Sequence, residues 1–191
     1  MAYKGPLTGL LILVLGLAGC SARITPADSL ETPVTVYLLD FGRHSSLLMP
    51  DEEAGSYVRY SYGDWGWYLE GRRSWIRVAP VLLWPTPGGL GRGTYEQISS
   101  PEALQQLAPD VYALQAEKKK VRALQKSLNA YFASDSVEPA YSREFQLYFV
   151  PYPKSYWLLH QSNLKTAEWL RELGLEVQGY PLWSNWVVVE P

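Results

Sequence analysis

The sequence predicts an α+β domain, an antiparallel sheet packed against a few helices. Three observations lead there. Short segments rich in β-branched and aromatic residues recur along the first half, separated by turn-forming residues. Later segments carry apolar residues at helical spacing instead. Aromatic residues make up 14% of the 191-residue chain, with eight Trp and fourteen Tyr, and sheets favour these types.

Val34 to Asp40 (VTVYLLD) reads as a strand, Phe41 to His44 as a bend, and Ser45 to Met49 as a second strand ended by Pro50. Tyr57 to Tyr62 alternates in the manner of a third strand, after a polar loop from Asp51 to Gly55. Gly63-Asp-Trp-Gly66 has turn chemistry, and Trp75 to Val78 fits a short strand or a helical segment. Val81 to Gly93 (VLLWPTPGGLGRG) reads as a loop or lid, because Pro and Gly both interrupt regular structure. Thr94 to Ile98 resumes a strand. Ser99-Ser-Pro-Glu102 opens a helix with Ser as N-cap and Pro in the first turn. Ala116 to Phe132 is a longer helix, with Val121, Leu124, Leu128 and Tyr131 on one face; its Glu117-Lys-Lys-Lys120 run is a solvated surface. Arg143 to Val150 alternates as a strand, and Pro151 to Lys154 makes a turn. Ser162 to Leu173 is an amphipathic helix, N-capped by Ser162 and stopped by Gly174. Leu182 to Glu190 supplies a last strand. No internal repeat or second boundary interrupts residues 34–191, which read as one domain.

Composition narrows the function classes. Seventeen Lys and Arg against nineteen Asp and Glu give a net charge of −2, with no general attraction for nucleic acid. A single Cys and two His leave no basis for an intrachain disulfide or a multi-Cys metal site, and no cofactor or metal is expected.

The first residues read as an export signal: Lys4, then an apolar run from Leu7 to Leu17 that is short for a bilayer span. Leu17-Ala-Gly-Cys20 resembles the bacterial lipobox. The resemblance implies cleavage after residue 19 and acylation of Cys20, which uses up the thiol and anchors the chain to a membrane. Ser21, rather than Asp, follows the Cys; by resemblance to Gram-negative sorting rules this implies the outer membrane, facing the periplasm. Residues 20–33 read as a tether without periodicity.

A sparse set of residues could carry chemistry. His44 stands at a strand edge, Asp64 in a turn, and Ser162 at a helix start preceded by His160. Base, orienter and nucleophile are the types a hydrolytic triad needs. A helix N-terminus would favour negative charge near Ser162. Trp65, Trp67, Tyr68 and Trp84 fall in turn or loop sequence, where they could line a groove, with His160 and Asn163 as polar partners. Gly88-Gly-Leu-Gly-Arg-Gly93 lacks the strand–loop–helix context of a nucleotide site.

Three stretches resemble a bacterial family of permuted papain-like proteins related to the NlpC-type cell-wall peptidases. They are Val36 to Pro50, with His44 after a strand; Tyr62 to Tyr68, with a Gly-Asp pair; and Tyr156 to Gly174, where Ser162-Asn-Leu-Lys-Thr-Ala opens a helix. Trp84-Pro-Thr86 also matches. The resemblance implies a permuted papain-like fold with His44 as base, Asp64 as orienter and position 162 as nucleophile. The family has Cys at position 162, and this chain has Ser; His160 stands at an Asn-like position. A thiol becomes a thiolate beside an imidazolium, whereas a serine hydroxyl needs general-base help in strict geometry. The expectation is therefore a catalytically degenerate lipoprotein binding a cell-envelope component, whether peptidoglycan, lipid or protein. The alternatives are a serine hydrolase or acyltransferase using a Ser162–His44 dyad, and a structural envelope protein that makes contacts through Val81 to Trp84.

Overall fold

The computed structural model describes residues 21–27, 29–71, 81, 83–96, 98, 100–134 and 137–189. The export signal, Cys20 and the Trp75 to Val78 segment lie outside them. The described elements are strands β1 (Ala22–Thr25), β2 (Pro33–Asp40), β3 (Ser45–Pro50) and β4 (Tyr57–Asp64), then the single helical turn α1 (Trp65–Tyr68). There follow β5 (Thr86–Tyr95), α2 (Pro101–Gln105), β6 (Asp110–Glu117), α3 (Lys118–Phe132), β7 (Ala140–Ser142), β8 (Leu147–Tyr156), α4 (Ser162–Glu172), β9 (Glu176–Gly179) and β10 (Trp186–Val188).

The α+β expectation holds. Seven strands form one antiparallel sheet in the order β6-β2-β3-β4-β5-β8-β7, and β10-β1-β9 form a second, smaller sheet. Register follows apolar alternation: Leu38 pairs with Leu47, and Leu47 with Tyr60, so these residues share a face. That face buries them against Val121, Leu124 and Leu128 of α3 and Ala167 and Leu170 of α4. The opposite face carries two smaller apolar clusters. One joins Leu39 and Leu48 to Leu104 and Ala108 at α2. The other joins Leu147 and Phe149 to Tyr68 of α1.

Several expectations are corrected. The Gly/Pro-rich stretch is not a lid: from Thr86 onward it is β5, in the sheet between β4 and β8. Its glycines make room for large neighbours. A Cβ on Gly91 would stand 2.7 Å from the Phe149 ring, and one on Gly93 2.7 Å from Leu147. At Gly88 it would strike the Lys154 carbonyl as well as the Tyr62 ring. Backbone cannot swing aside as a side chain can, so Gly88→Ala is expected to cost about 2 kcal/mol by overpacking. Urea unfolding reads this, and an unchanged midpoint would refute the close approach.

The expected tether instead contributes β1, whose Ala22 and Ile24 are fully buried between β9 and β10. β6 takes in Ala116 and Glu117, expected to begin the helix, and α3 begins at Lys118. Lys118, Lys119 and Lys120 are exposed as expected, but Glu117 is buried. Its carboxylate accepts the N–H groups of Glu31 and Thr32 and the Thr32 hydroxyl, fixing the entry to β2. β8 starts later than expected and runs through Pro151 to Tyr156; the fixed φ of proline is tolerated in extended backbone. The last strand shrinks to Trp186–Val188.

Candidate functional site

His44, Asp64 and Ser162 are brought together at one end of the large sheet, in a cleft of about 190 Å³. His44 precedes β3, Asp64 closes β4, and Ser162 opens α4, which packs on β3 and β4. Trp67, Tyr68, Tyr156 and Trp183 supply aromatic walls, with Arg43 and Val81 completing the lining. A larger groove, about 520 Å³, runs along α3 past Lys118, Arg122 and Lys126, and none of the expected site residues lines it.

The chemistry inside the cleft differs from a triad. The His44 ring stacks on Phe41 at 4.7 Å and meets Tyr68 and Phe145 edge-on. Burial, and then the Arg59 guanidinium, pull its pKa down to about 4. At neutral pH it is an uncharged imidazole. Asp64 does not orient it: Asp64 Oδ1 accepts the Trp67 N–H at 2.6 Å and caps α1. The turn expected at Gly63 to Gly66 is therefore a strand end followed by a capped helical turn.

Ser162 is the first residue of α4 rather than its cap. Gln161 is the cap, its Oε1 accepting the Asn163 N–H at 2.8 Å. The buried Ser162 hydroxyl donates to the same Gln161 oxygen at 3.3 Å. Burial, with Tyr68 and Asp64 nearby, holds the Tyr156 phenol above its ordinary value, and the hydroxyl and N–H of Ser162 act on it in the opposite sense. The Asn163 N–H, the second of α4, is thus directed at a protein oxygen, where an oxyanion site would need it free.

Comparison with protein-family models, with curated proteins and with solved structures found no match.

The remaining expected site residues divide by role. Trp67 and Tyr68 line the cleft, as expected. Trp65 does not; it packs in the Phe149 cluster, close under Gly89. Trp84 is 67% exposed, three residues from Val81 but outside the lining. His160 also stands outside the cleft. Its Nδ1 donates to the Ser155 carbonyl at 2.9 Å, 3.0 Å from the Tyr62 hydroxyl, and its Nε2 lies 3.9 Å from Glu168. Asn163 is fully buried and structural: it accepts from the Ser45 hydroxyl at 3.0 Å and donates to the carbonyls of Arg43 and Leu182.

Sequence reasoning missed Arg43, Tyr156 and Trp183 as cleft residues. Arg43 and Tyr156 adjoin stretches already singled out, and chain proximity could have found them. Trp183 sits in a turn before β10, where nothing in the sequence distinguishes it from the other aromatics.

Proposed function

We propose that this chain is a cell-envelope lipoprotein, anchored through acylated Cys20 to the outer membrane and facing the periplasm, whose papain-like scaffold keeps a cleft for binding without catalysis. The ligand is an envelope component, and aromatic walls with the exposed Arg43 in the lining suit a peptide or glycan fragment. Support for the scaffold is the seat of Ser162 in the first turn of a helix packed on the strand that follows His44. The observation that carries the binding reading is that the would-be catalytic groups are spent inside the protein. The Ser162 hydroxyl bonds Gln161, the Asp64 carboxylate caps α1, and the His44 ring is stacked on Phe41.

The convergence of His44, Asp64 and Ser162 in one cleft favours the serine hydrolase as the second reading. Two measurements separate them. Under the binding reading, a fluorophosphonate probe leaves Ser162 unlabelled. Ser162→Cys then yields a thiol titrating at or above its ordinary value of about 8.5, since no imidazolium faces it. A labelled Ser162, or a thiol well below about 7, would restore the hydrolase. Binding itself is read by titrating tryptophan fluorescence with soluble peptidoglycan fragments. The response is expected to be kept in Ser162→Ala and lost in Trp183→Ala. No response from either peptide or glycan fragments would remove the binding reading.

A further inference from the structure

On the α2 side of the sheet, a polar strip separates the two smaller apolar clusters. It consists of Ser46 on β3 and Arg59 and Ser61 on β4, all buried. Arg59 is only 6% exposed, and among the described residues no carboxylate forms an ion pair with it. Its guanidinium lies 4.6 Å over the Phe41 ring. Two of its five N–H donors find neutral oxygens at long range: Nη2 donates to Ser46 Oγ at 3.2 Å and Nη1 to Tyr95 Oη at 3.4 Å. Arg59 Nε and Ser61 Oγ, alternate residues of one strand face, are buried with no hydrogen-bond partner. A buried cation left without a counter-charge is costly, so its retention calls for a partner.

Space for that partner adjoins it. Arg59 lines a groove of about 470 Å³ together with Phe41, His44, Tyr95 and Phe145. His44 lines both this groove and the aromatic cleft, so the two spaces meet at its ring. A planar carboxylate matches the guanidinium fork, which can hold it through two parallel N–H···O bonds.

We infer that Arg59 is an anion subsite that takes a carboxylate group of a ligand whose remainder reaches past His44 into the aromatic cleft. The inference deepens the binding reading by giving the ligand a chemical end: a free carboxylate, such as a peptide C-terminus.

His44 provides the readout, because Arg59 is the charge that acts on it. The chain has only two histidines, so His160→Gln leaves one imidazole to follow by NMR. The protein is titrated across pH with acetate, with an N-acetylated dipeptide bearing a free C-terminus, with its C-terminal amide, and with phosphate, at constant ionic strength set by chloride. The expected result is a rise in the His44 pKa with the free-carboxylate peptide and with acetate, and none with the amide. In Arg59→Met the His44 pKa is already raised and ignores the peptide. In Arg59→Lys, which keeps charge without the fork, the response weakens.

A His44 pKa unmoved by either carboxylate in the otherwise unaltered protein would overturn the subsite, and that result does not depend on any Arg59 variant folding. A response to phosphate alone would do the same. The fluorescence titration of the cleft is independent, so loss of the carboxylate subsite and loss of the binding reading are told apart.

Discussion

Asn163→Leu lowers the unfolding free energy by about 3 kcal/mol, although leucine has the same γ-branched, four-atom side-chain skeleton as asparagine and the site excludes solvent. The cause is polar groups left behind rather than lost volume. The Ser45 hydroxyl would lose its acceptor, and the Arg43 and Leu182 carbonyls a donor. Each buried group stripped of its partner costs about 1–3 kcal/mol, and a small apolar gain offsets part of this. Chemical denaturation should show a lower midpoint with an unchanged slope. A change within about 0.5 kcal/mol would show that Asn163 does not staple α4 to β3, and would return it to the candidate binding residues.

The second large effect is one of pH. His44 is depressed to about 4 in the folded protein against an ordinary value of 6.5. The unfolded chain therefore takes up the proton first. The stability held by keeping His44 neutral is complete above about pH 6.5 and is lost progressively as pH falls toward 4. Over that window the loss amounts to about 3 kcal/mol for this single group. Glu117 and Glu168 act lower, since their folded values lie below the ordinary carboxylate value. The upper part of the window therefore belongs to His44. His44→Phe keeps a ring stacked on Phe41 and removes the titration. Its unfolding free energy should be flat between pH 6.5 and 5, where the parent falls. Parallel curves would show that His44 is not held neutral.

What the sequence disclosed, and what it hid, follows from how far apart the interacting residues lie. β2, β3 and β4 were legible because each carries its own apolar alternation. β5 was not, since a glycine run has no pattern: its place is defined by Phe149, Leu147 and Tyr62 on neighbouring strands, which need its missing side chains. β1 was hidden because its partners lie about 150 residues away in β9 and β10. β6 abuts α3 without a turn signal between them. The same holds at the site. His44, Asp64 and Ser162 line one cleft, but the side chains of Ser162 and Asp64 bond to Gln161 and Trp67, which no motif pairs with them. Arg59 did leave a trace, a charge among apolar and aromatic residues in an alternating strand. Its inward direction is set by cross-strand register with Leu48, which the strand's own sequence does not contain.

The early start of β1 has a mechanical consequence. Ser21 alone separates Cys20 from a strand whose Ala22 N–H is bonded to the Asn185 carbonyl. With acyl chains on Cys20, the leash would be only about 7 Å long at full extension. A lipoprotein on a long disordered leader can roam the space beside its membrane. Acylated as proposed, this chain would be bolted at the small sheet, keeping a fixed height and a restricted heading. Trp183, in the turn leading to β10, would lie near the hinge of that attachment, so the cleft would serve ligands that arrive at the bilayer surface rather than reach out for distant ones.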